Sequence, residues 1–539
     1  MIVLGISGGI RSGHHDAAAV LYRDGNLVAA AEEERFTRIK HSEGRLPESA
    51  VRFCLSQARI DIRDVDALAY GYATVPGMDR RLKDYFNLRF GHCPEVHLIR
   101  HYLAHAASAY RVSGFADAMI LSADVSGDSI STLLSHGKGS EIRIVKSIPR
   151  PNSLGIFYSM LTQILGFQRD NDEYKVMGLA SYGRNEVDLS WLLQYGGGEY
   201  RLNYEEYMVP VGPAQPFPSK QEGIYSQRLV ERLGRPRLKD EPLTQRHMDL
   251  AHSVQKTLER AVTDLVTWLH GETGSRNLCI AGGVGLNCVM NQRLLALPFV
   301  DQVYVQPAAS DAGTAIGASL EVLAERGVQP EVMEHVYTGP AFANEEIQTA
   351  LDSYKVPYRK EEDVCRFAAE KLAEGAIVAW FQGAMEFGPR ALGNRSILGD
   401  PRDPAMKDRI NATIKFREDF RPFAPAVLEE RVEEYFYDGV KSPFMTLTFD
   451  VRKEKQREIA SITHVDGTAR IQTVGHKTNP RFHRLISEFA RITGIPMVIN
   501  TSFNVKGQPI VCTPREAVST FFMTGMDYLV LGDYVLSKR

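Results

Sequence analysis

Apolar residues recur along the chain with two periods, one near two residues and one near three and a half. Residues 2–7 form a short apolar run that ends in Gly8-Gly9, the pattern of a buried strand feeding a glycine loop. Residues 17–22 and 27–31 are two further apolar runs around Arg23-Asp24-Gly25-Asn26, and Asp-Gly between such runs predicts a hairpin. A helix over 47–57 and a strand over 67–72 follow. Residues 118–123 are apolar again and enter Asp124-Val125-Ser126-Gly127-Asp128, after which 130–135 return as a second strand. Strand, acidic or glycine loop, returning strand thus occurs twice. That duplication suits the two halves of an actin-like ATPase fold, each with a loop facing phosphate.

Helical spacing runs over 154–167, and 244–270 reads as a long amphipathic helix. A strand at 277–280 meets Gly282-Gly283-Val284-Gly285-Leu286-Asn287, and one at 302–305 leads into Ser310-Asp311-Ala312-Gly313. Residues 186–245 hold Gly196-Gly197-Gly198, several prolines and little periodicity. They are expected to be a peripheral insertion lining the substrate entrance. Residues 327–357, with prolines and glycines, mark a join. The expected domains are 1–340 and 341–539. The second begins with a helix over 363–374 and a strand over 376–381. It continues through a strand at 497–504 and a helix opened by Pro514, and closes with a strand at 528–531.

Composition narrows the class. At 539 residues, with 44% apolar and 24% charged side chains, the chain is an α/β protein with more than one packed core. A formal charge of -3 argues against nucleic acid as the main partner. Six cysteines without a C-x-x-C pair exclude a disulfide framework and a thiolate zinc site. No apolar run is long enough to span a bilayer, and the N-terminal run meets polar residues too soon for a signal peptide. A cytoplasmic protein without a membrane partner is expected.

The candidate chemistry begins with His101 and His105. Four residues apart on a helix, they share a face and can share one metal ion; the bland alternative is a satisfied core pair. Asp124 lies at a strand's end, where active-site groups collect in α/β sheets. Asp311 is placed to cap a helix. Residues 31–41 are densely charged, either a solvated turn or a segment that brings Lys40 to a phosphate or carbonyl. Residues 387–397 and 411–425 interleave cations with glycine and proline in a chain of near-neutral charge, which points to a local anion site. Ser502 and Asn504, at the end of a strand, are candidates for the same anion.

Taken together, the motifs resemble one family. They are His15-Asp16-Ala17-Ala18, the charged stretch 32–41, His101-x-x-x-His105, Asp124, Lys175-Val176-Met177-Gly178-Leu179-Ala180-Ser181-Tyr182-Gly183, Gly282-Gly283 to Asn287, and Ser310-Asp311-Ala312-Gly313. Further on come Gly388-Pro389-Arg390, Lys415-x-Arg417, Arg421-Pro422-Phe423-Ala424-Pro425, and Asn500-Thr501-Ser502-Phe503-Asn504. In this order they are similar to the O-carbamoyltransferases of the NodU/CmcH type over essentially the whole chain. The resemblance implies an actin-like (ASKHA) N-terminal domain and a YrdC-like C-terminal domain. It implies that carbamoyl phosphate and ATP, with Mg2+, form carbamoyl adenylate and pyrophosphate in the second domain. The carbamoyl group then passes to a hydroxyl of a small-molecule acceptor in the first, and AMP leaves.

The resemblance also assigns residues. His101, His105, Asp124 and Asp311 would hold a mononuclear iron(II). Arg390, Lys415, Arg417, Arg421, Asn500 and Ser502 would bind carbamoyl phosphate and ATP. Gly127, Gly178, Gly183, Gly282, Gly283 and Asn287 would contact the adenylate. His15, Asp16 and Lys40 would serve the transfer, with His15 as base or as a contact that moves no proton. The loop before His15 is longer than is usual in the family and adds His14, so which histidine faces the acceptor is open. A homodimer is compatible with the family. The acceptor is a sugar, an aminoglycoside, a macrocycle or another secondary metabolite, as in antibiotic biosynthesis. Two other readings compete. One is a threonylcarbamoyl-type nucleic-acid modification factor. The other is a zinc hydrolase, disfavoured because the histidine pair lacks the glutamate of H-E-x-x-H.

Overall fold

The computed structural model describes residues 1–9, 15–209 and 222–538. They fall into two compact units: Met1–Val28 with Ser42–Val332, and Ala29–His41 with Met333–Arg539. The chain therefore enters the second unit a little before residue 341, and it visits that unit once early, through 29–41.

The first unit is built on two sheets of one design. Strand β1 (Ile2–Ile6) pairs antiparallel with β2 (Ala18–Arg23) and parallel with β4 (Ala67–Tyr70), which pairs parallel with β5 (Glu95–Leu98). With β3 (Asn26–Glu32) the order is β3-β2-β1-β4-β5. The expected hairpin is present: Asp24 and Gly25 both take positive φ, 51° and 85°, as a type I′ turn requires. In the second sheet β6 (Asp117–Gly127), β7 (Ile130–Lys138) and β8 (Glu141–Pro149) form an antiparallel meander. Strands β9 (Asn277–Ala281) and β10 (Gln302–Val305) add on the other side in parallel. The order β10-β9-β6-β7-β8 repeats the first sheet's order from its opposite edge. This duplicated arrangement is that of actin-like folds. The sequence pattern missed β8, an edge strand whose alternation is broken at Val145, where its pairing with β7 shifts register.

Two helices pack against each other across a glycine. Helix His101–Tyr110 is buried on nearly every face, and so is helix Ala312–Glu325. They approach so closely that a Cβ on Gly317 would lie 1.7 Å from the Ala104 carbonyl oxygen. The long helix runs from Gln245 to Thr273. Within 186–245 the described residues form a small hairpin, Leu193–Tyr195 with Tyr200–Leu202, and two short helices, Tyr204–Tyr207 and Gln227–Leu233.

The second unit is organised on one eight-stranded mixed sheet. Its strands are β11 (Arg359–Lys360), β12 (Val378–Phe381), β13 (Arg395–Gly399), β14 (Ala424–Leu428), β15 (Gln472–Val474), β16 (Met497–Ser502), β17 (Tyr528–Leu531) and β18 (Tyr534–Ser537). The order is β11-β18-β17-β12-β13-β16-β14-β15. The strand at 528–531 does not close the chain as expected: β18 turns back on it as an antiparallel edge. Helices Val364–Ala373 and Pro480–Thr493 pack on each other and help cover the sheet. Among the described residues no helix is long and apolar enough to cross a membrane.

Because the Gly317 position has no room for a methyl group, Gly317→Ala is expected to destabilise the first unit by about 1–3 kcal/mol through overpacking. Urea unfolding measures this. An unchanged midpoint would show that the two helices can separate without cost.

Candidate functional site

The histidine helix starts at its own first ligand. No side chain of the preceding residue caps it; instead Asp128, on the β6–β7 turn, accepts from the His101 backbone N–H at 2.7 Å. The same carboxylate accepts from the N–H groups of Ala73 (3.3 Å) and Thr74 (3.2 Å) and from the Thr74 hydroxyl (2.5 Å). His101 Nδ1 lies 3.1 Å from the Gly71 carbonyl. A carbonyl only accepts, so Nδ1 carries the proton and Nε2 keeps its lone pair. That lone pair faces inward: the Nε2 atoms of His101 and His105 are 3.1 Å apart. Asp311 Oδ1 stands 3.5 Å from His101 Nε2 and 3.6 Å from His105 Nε2, and Asp124 Oδ2 stands 3.4 Å from His105 Nε2. All four residues offer ligand atoms within 4.8 Å of one another.

The surroundings hold the four in place. A Cβ on Gly127 would lie 1.9 Å from His101 Cδ2, so only glycine lets the imidazole sit there. The Val125 and Gly283 N–H groups donate to Asp124 at 2.6 and 2.9 Å. Asp311 stands at a helix start but makes no capping bond, against the simplest reading of its sequence position. Its Oδ2 instead accepts from the Tyr72 hydroxyl at 2.8 Å. Burial pushes His101 below its ordinary pKa; Asp311 pulls the other way, and His105 adds to the fall. For Asp311 burial alone would raise the pKa, but His101, a hydrogen bond from His105 and the charge of His15 bring it well below the usual carboxylate range.

The donor set fits a metal. Two neutral imidazoles and two carboxylates suit a divalent first-row ion. Two inward nitrogens at 3.1 Å, one of them a bare lone pair, want a cation or a proton between them. His105 Nδ1 is buried without a hydrogen-bond partner among the described residues, so no second bond fixes that ring as Gly71 fixes His101.

Other predicted residues of the first unit distribute as follows. His15 is half-buried, with Nδ1 3.3 Å from Asp16 Oδ2, and its charge reaches Asp311. Asp16 takes a positive φ of 55° and accepts through its carbonyl from the Ser7 hydroxyl. His14 lies outside the described residues. Asn287 caps the helix Cys288–Leu295, accepting from Met290 N–H, while its Nδ2 donates to Gln255 at 2.8 Å. Gln255 also accepts from the Tyr158 hydroxyl. Gly282 takes φ 85° against the Ala123 carbonyl, Gly183 packs against His252 and Met248, and Gly178 is buried within a helix. A cavity of about 650 Å³ is lined by Tyr195 of the small hairpin and by Lys256, Glu259, Arg260, Asp264 and Arg293.

In the second unit the charged stretch 29–41 is not a solvated turn. Glu32, Glu33 and Arg35 are buried. Arg35 donates to Glu32 at 3.1 Å, to Glu34 at 2.7 Å and to the Gly388 carbonyl at 2.8 Å. Gly388 N–H donates back to Glu32 at 2.7 Å. Arg38 donates to the carbonyls of Pro509 and Ile510, both at 2.7 Å. Lys40, at the end of this stretch, is exposed.

Lys415 ends a π-helical turn, Asn411–Lys415, and is buried. Its ammonium donates to Asn504 Oδ1 at 2.9 Å, to the Asn504 carbonyl at 3.0 Å and to Ser502 Oγ at 3.3 Å. Burial, then the charges of Arg417 and Arg421, hold its pKa well below that of an ordinary lysine. Arg417 donates to Asn411 at 2.9 Å and lies over Phe423; Arg421 stands 3.7 Å from Glu418. Asn500 takes a different place. It is buried, and its Nδ2 donates to Gln472 at 2.8 Å and to the Ala391 carbonyl at 3.3 Å. It thus supports the loop that carries Arg390, which is half-buried. Sequence reasoning missed two further supports of that loop. Glu386 Oε1 accepts from the N–H groups of Leu392, Asn394 and Arg395, and the fully buried Arg395 donates to the carbonyls of Pro340, Gln382, Gly383 and Asn394. Burial pushes Arg395 down to about 10. Both flank Gly388-Pro389-Arg390 in sequence, the one signal that pointed to them.

The first unit combines the duplicated sheet order of actin-like folds with a buried cluster of four residues whose donor set suits a metal ion. The chain belongs to the carbamoyltransferase family: the model for the carbamoyltransferase N-terminus matches residues 6–86 and 72–320, and that for the carbamoyltransferase C-terminus matches 369–538. It is 40% identical to the uncharacterized protein sll1178 of Synechocystis over 98% of this chain and 96% of that one. It is 39% identical to the nodulation protein NolNO of Sinorhizobium fredii, over 100% and 83%. It is 31% identical to the 3'-hydroxymethylcephem-O-carbamoyltransferase of Streptomyces clavuligerus, over 73% and 72%. The protein is a carbamoyltransferase enzyme of the ATP- and carbamoyl-phosphate-dependent, O-transferring kind. Nothing in these relatives supports the nucleic-acid reading.

A pH dependence follows from His101. Its folded pKa lies below the ordinary value of 6.5, so below that pH the unfolded chain binds a proton that the metal-free fold refuses. Its contribution to stability is full above about pH 6.5 and is lost as pH falls toward the folded pKa. The urea midpoint of the metal-free protein should therefore fall from pH 7.5 to pH 5, and His101→Asn should reduce that slope. Equal slopes in the two proteins would rule out His101 as a source.

Proposed function

We propose that the chain makes carbamoyl adenylate in its second unit and spends it on a small-molecule hydroxyl in its first. Chemical balance shapes the first step. For pyrophosphate to leave ATP, the attacking atom must be a carbamate oxygen. Carbamoyl phosphate therefore first loses phosphate with uptake of one water, and the carbamate then attacks the α-phosphorus. Two polyanions must meet, which needs convergent cations. Lys415, Arg417 and Arg421 are in electrostatic reach of one another, with Ser502 and Asn504 beside the ammonium. Arg390 adds a planar guanidinium on its supported loop. Mg2+ would accompany the triphosphate. We read this unit as YrdC-like, a reading supported by its mixed sheet with cationic loops.

In the second step the adenylate would sit against the loop of Gly282, Gly283 and Asn287, with Gly127, Gly178 and Gly183 leaving backbone close by. His15 takes the acceptor's proton, with Asp16 orienting its Nδ1. The acceptor oxygen attacks the carbamoyl carbon, and AMP leaves with the bond electrons. His101, His105, Asp124 and Asp311 would hold iron(II), which supplies Lewis acidity to the leaving phosphate without redox chemistry. A role for Lys40 beside a phosphate remains part of this reading. The Streptomyces relative is named for carbamoylating a 3'-hydroxymethylcephem, which supports an alcohol of natural-product or sugar type. The cavity beside Tyr195, with cations and carboxylates on its walls, suits a polar acceptor. A cytoplasmic location fits the supply of ATP and carbamoyl phosphate.

The observation that carries this reading is the ordered match of both halves to carbamoyltransferases, with four ligand residues converging in the first. The purified protein should release pyrophosphate and phosphate only when carbamoyl phosphate is present, and AMP with carbamoylated product only when an alcohol acceptor is added as well, as followed by mass spectrometry; release of ADP would contradict the adenylate route. Lys415→Met is expected to slow adenylate formation roughly 100- to 1,000-fold while leaving transfer from supplied adenylate intact. His101→Ala should do the reverse. Loss of both steps in either variant would break the division of labour.

A further inference from the structure

Beyond the four ligands, one short segment touches the cluster at two points. It follows β4, and its residues are Gly71, Tyr72, Ala73 and Thr74. The Gly71 carbonyl accepts from His101 Nδ1. The Tyr72 hydroxyl donates to Asp311 Oδ2 at 2.8 Å, and its ring lies on the His101 ring with centroids 4.3 Å apart and planes at 33°. Tyr72 is 8% exposed, so neither contact competes with bulk water. The next two residues are tied by their N–H groups, and Thr74 also by its hydroxyl, to Asp128, the residue that caps the histidine helix.

We propose that Tyr72 is a positioning residue of the metal centre: it engages one oxygen of Asp311, leaving the other for the ion, and stacks on His101 to fix the second ligand's plane. The inference rests on reading the cluster as a metal site. The physical argument is about choice of oxygen. A free carboxylate can present either oxygen or both. With Oδ2 engaged by a hydroxyl, Oδ1 is the atom left facing His101 and His105, at 3.5 and 3.6 Å. Asp124 is held differently, by backbone N–H groups on both oxygens. Among the described residues His105 has no such support on its outer nitrogen. The segment 71–74 therefore governs one half of the ligand set, His101 and Asp311. Outer partners of this kind orient a ligand and tune its basicity, and their loss typically weakens metal binding 10- to 100-fold.

The test uses Co(II) as probe on the full chain stripped of metal, read by visible absorption and by competition with a chromophoric chelator. Wild-type protein should bind one Co(II), and His101→Ala should lose it. Failure there overturns the metal reading and this proposal with it. Given that binding, Tyr72→Phe keeps the ring and removes only the hydroxyl. Its cobalt affinity should fall about 10- to 100-fold with a changed visible spectrum, while adenylate formation in the second unit and the urea midpoint stay near wild type. Wild-type affinity and spectrum in this variant would overturn the proposal. Since Tyr72 acts through Asp311, Tyr72→Phe should add nothing in an Asp311→Asn background; a further loss of the same size there would also overturn it. Should Tyr72→Phe prove unstable, Thr74→Val loosens the same segment from Asp128 and should shift the spectrum in the same sense, and an unaltered spectrum would count against the segment's role.

Discussion

Four ionisable side chains crowd within 4.8 Å inside the first unit, and much of the nearby structure follows from keeping them there. Removing imidazoles and carboxylates from water is costly unless each finds partners. The chain meets that cost with backbone and small residues. Gly127 leaves space for one ring, Gly317 lets the histidine helix press on the helix that Asp311 begins, and the Gly283 N–H points at Asp124. Asp128 joins the start of the histidine helix to the segment after β4. Sheet order matters for the same reason. Asp124 is on β6, the histidine helix follows β5, and Asp311 follows β10, so three elements from two sheets meet at one point.

The second unit solves the opposite problem. It buries cations. Arg395 is wrapped by carbonyl oxygens, which satisfy its N–H groups without supplying a full counter-charge, and burial still lowers its pKa to about 10. Lys415 is held by the neutral oxygens of Ser502 and Asn504, with two arginines nearby to oppose its charge. Glu32 and Glu386 spend their oxygens on backbone N–H groups at either end of the 388–395 loop. A loop fixed at both ends holds the backbone that carries Arg390 in place.

Much of this was legible in the sequence where the cause is local. Asp24-Gly25 demanded a turn that only a hairpin uses, and the His101/His105 spacing placed both rings on one helix face. Lys415 and Ser502 were singled out from their turn-rich surroundings, and they do meet. What sequence could not show depends on partners far along the chain. Residues 32–35 have the composition of a surface turn, yet Arg35 finds its carbonyl 353 residues away. Asp311 has a capping residue's identity at a capping residue's position, and a tyrosine from the segment after β4 donates to its oxygen instead. Asn500 sits two residues from Ser502 on β16, yet its amide is taken up by Gln472 and the Ala391 carbonyl, partners far along the chain, rather than by Lys415. Tyr72 left no signal at all, being one apolar ring at the end of an apolar run.

The two sites are alike in being electrostatically incomplete. In the first, the inward lone pair of His101, the His105 imidazole and two carboxylates converge within 4.8 Å. In the second, a lysine with depressed proton affinity sits among arginines that disfavour its charge. On the proposed roles a cation would relieve the first arrangement and an anion the second. Binding free energy at such sites is partly released strain between like charges, so ligand and fold stabilise each other. An anion beside Lys415 would favour its charged form, opposing both burial and the two guanidinium charges. A buried lysine close to two arginines favours a polyanion by charge before any shape is read. That discrimination is useful in an enzyme that must gather two phosphorylated substrates from water and hold them together.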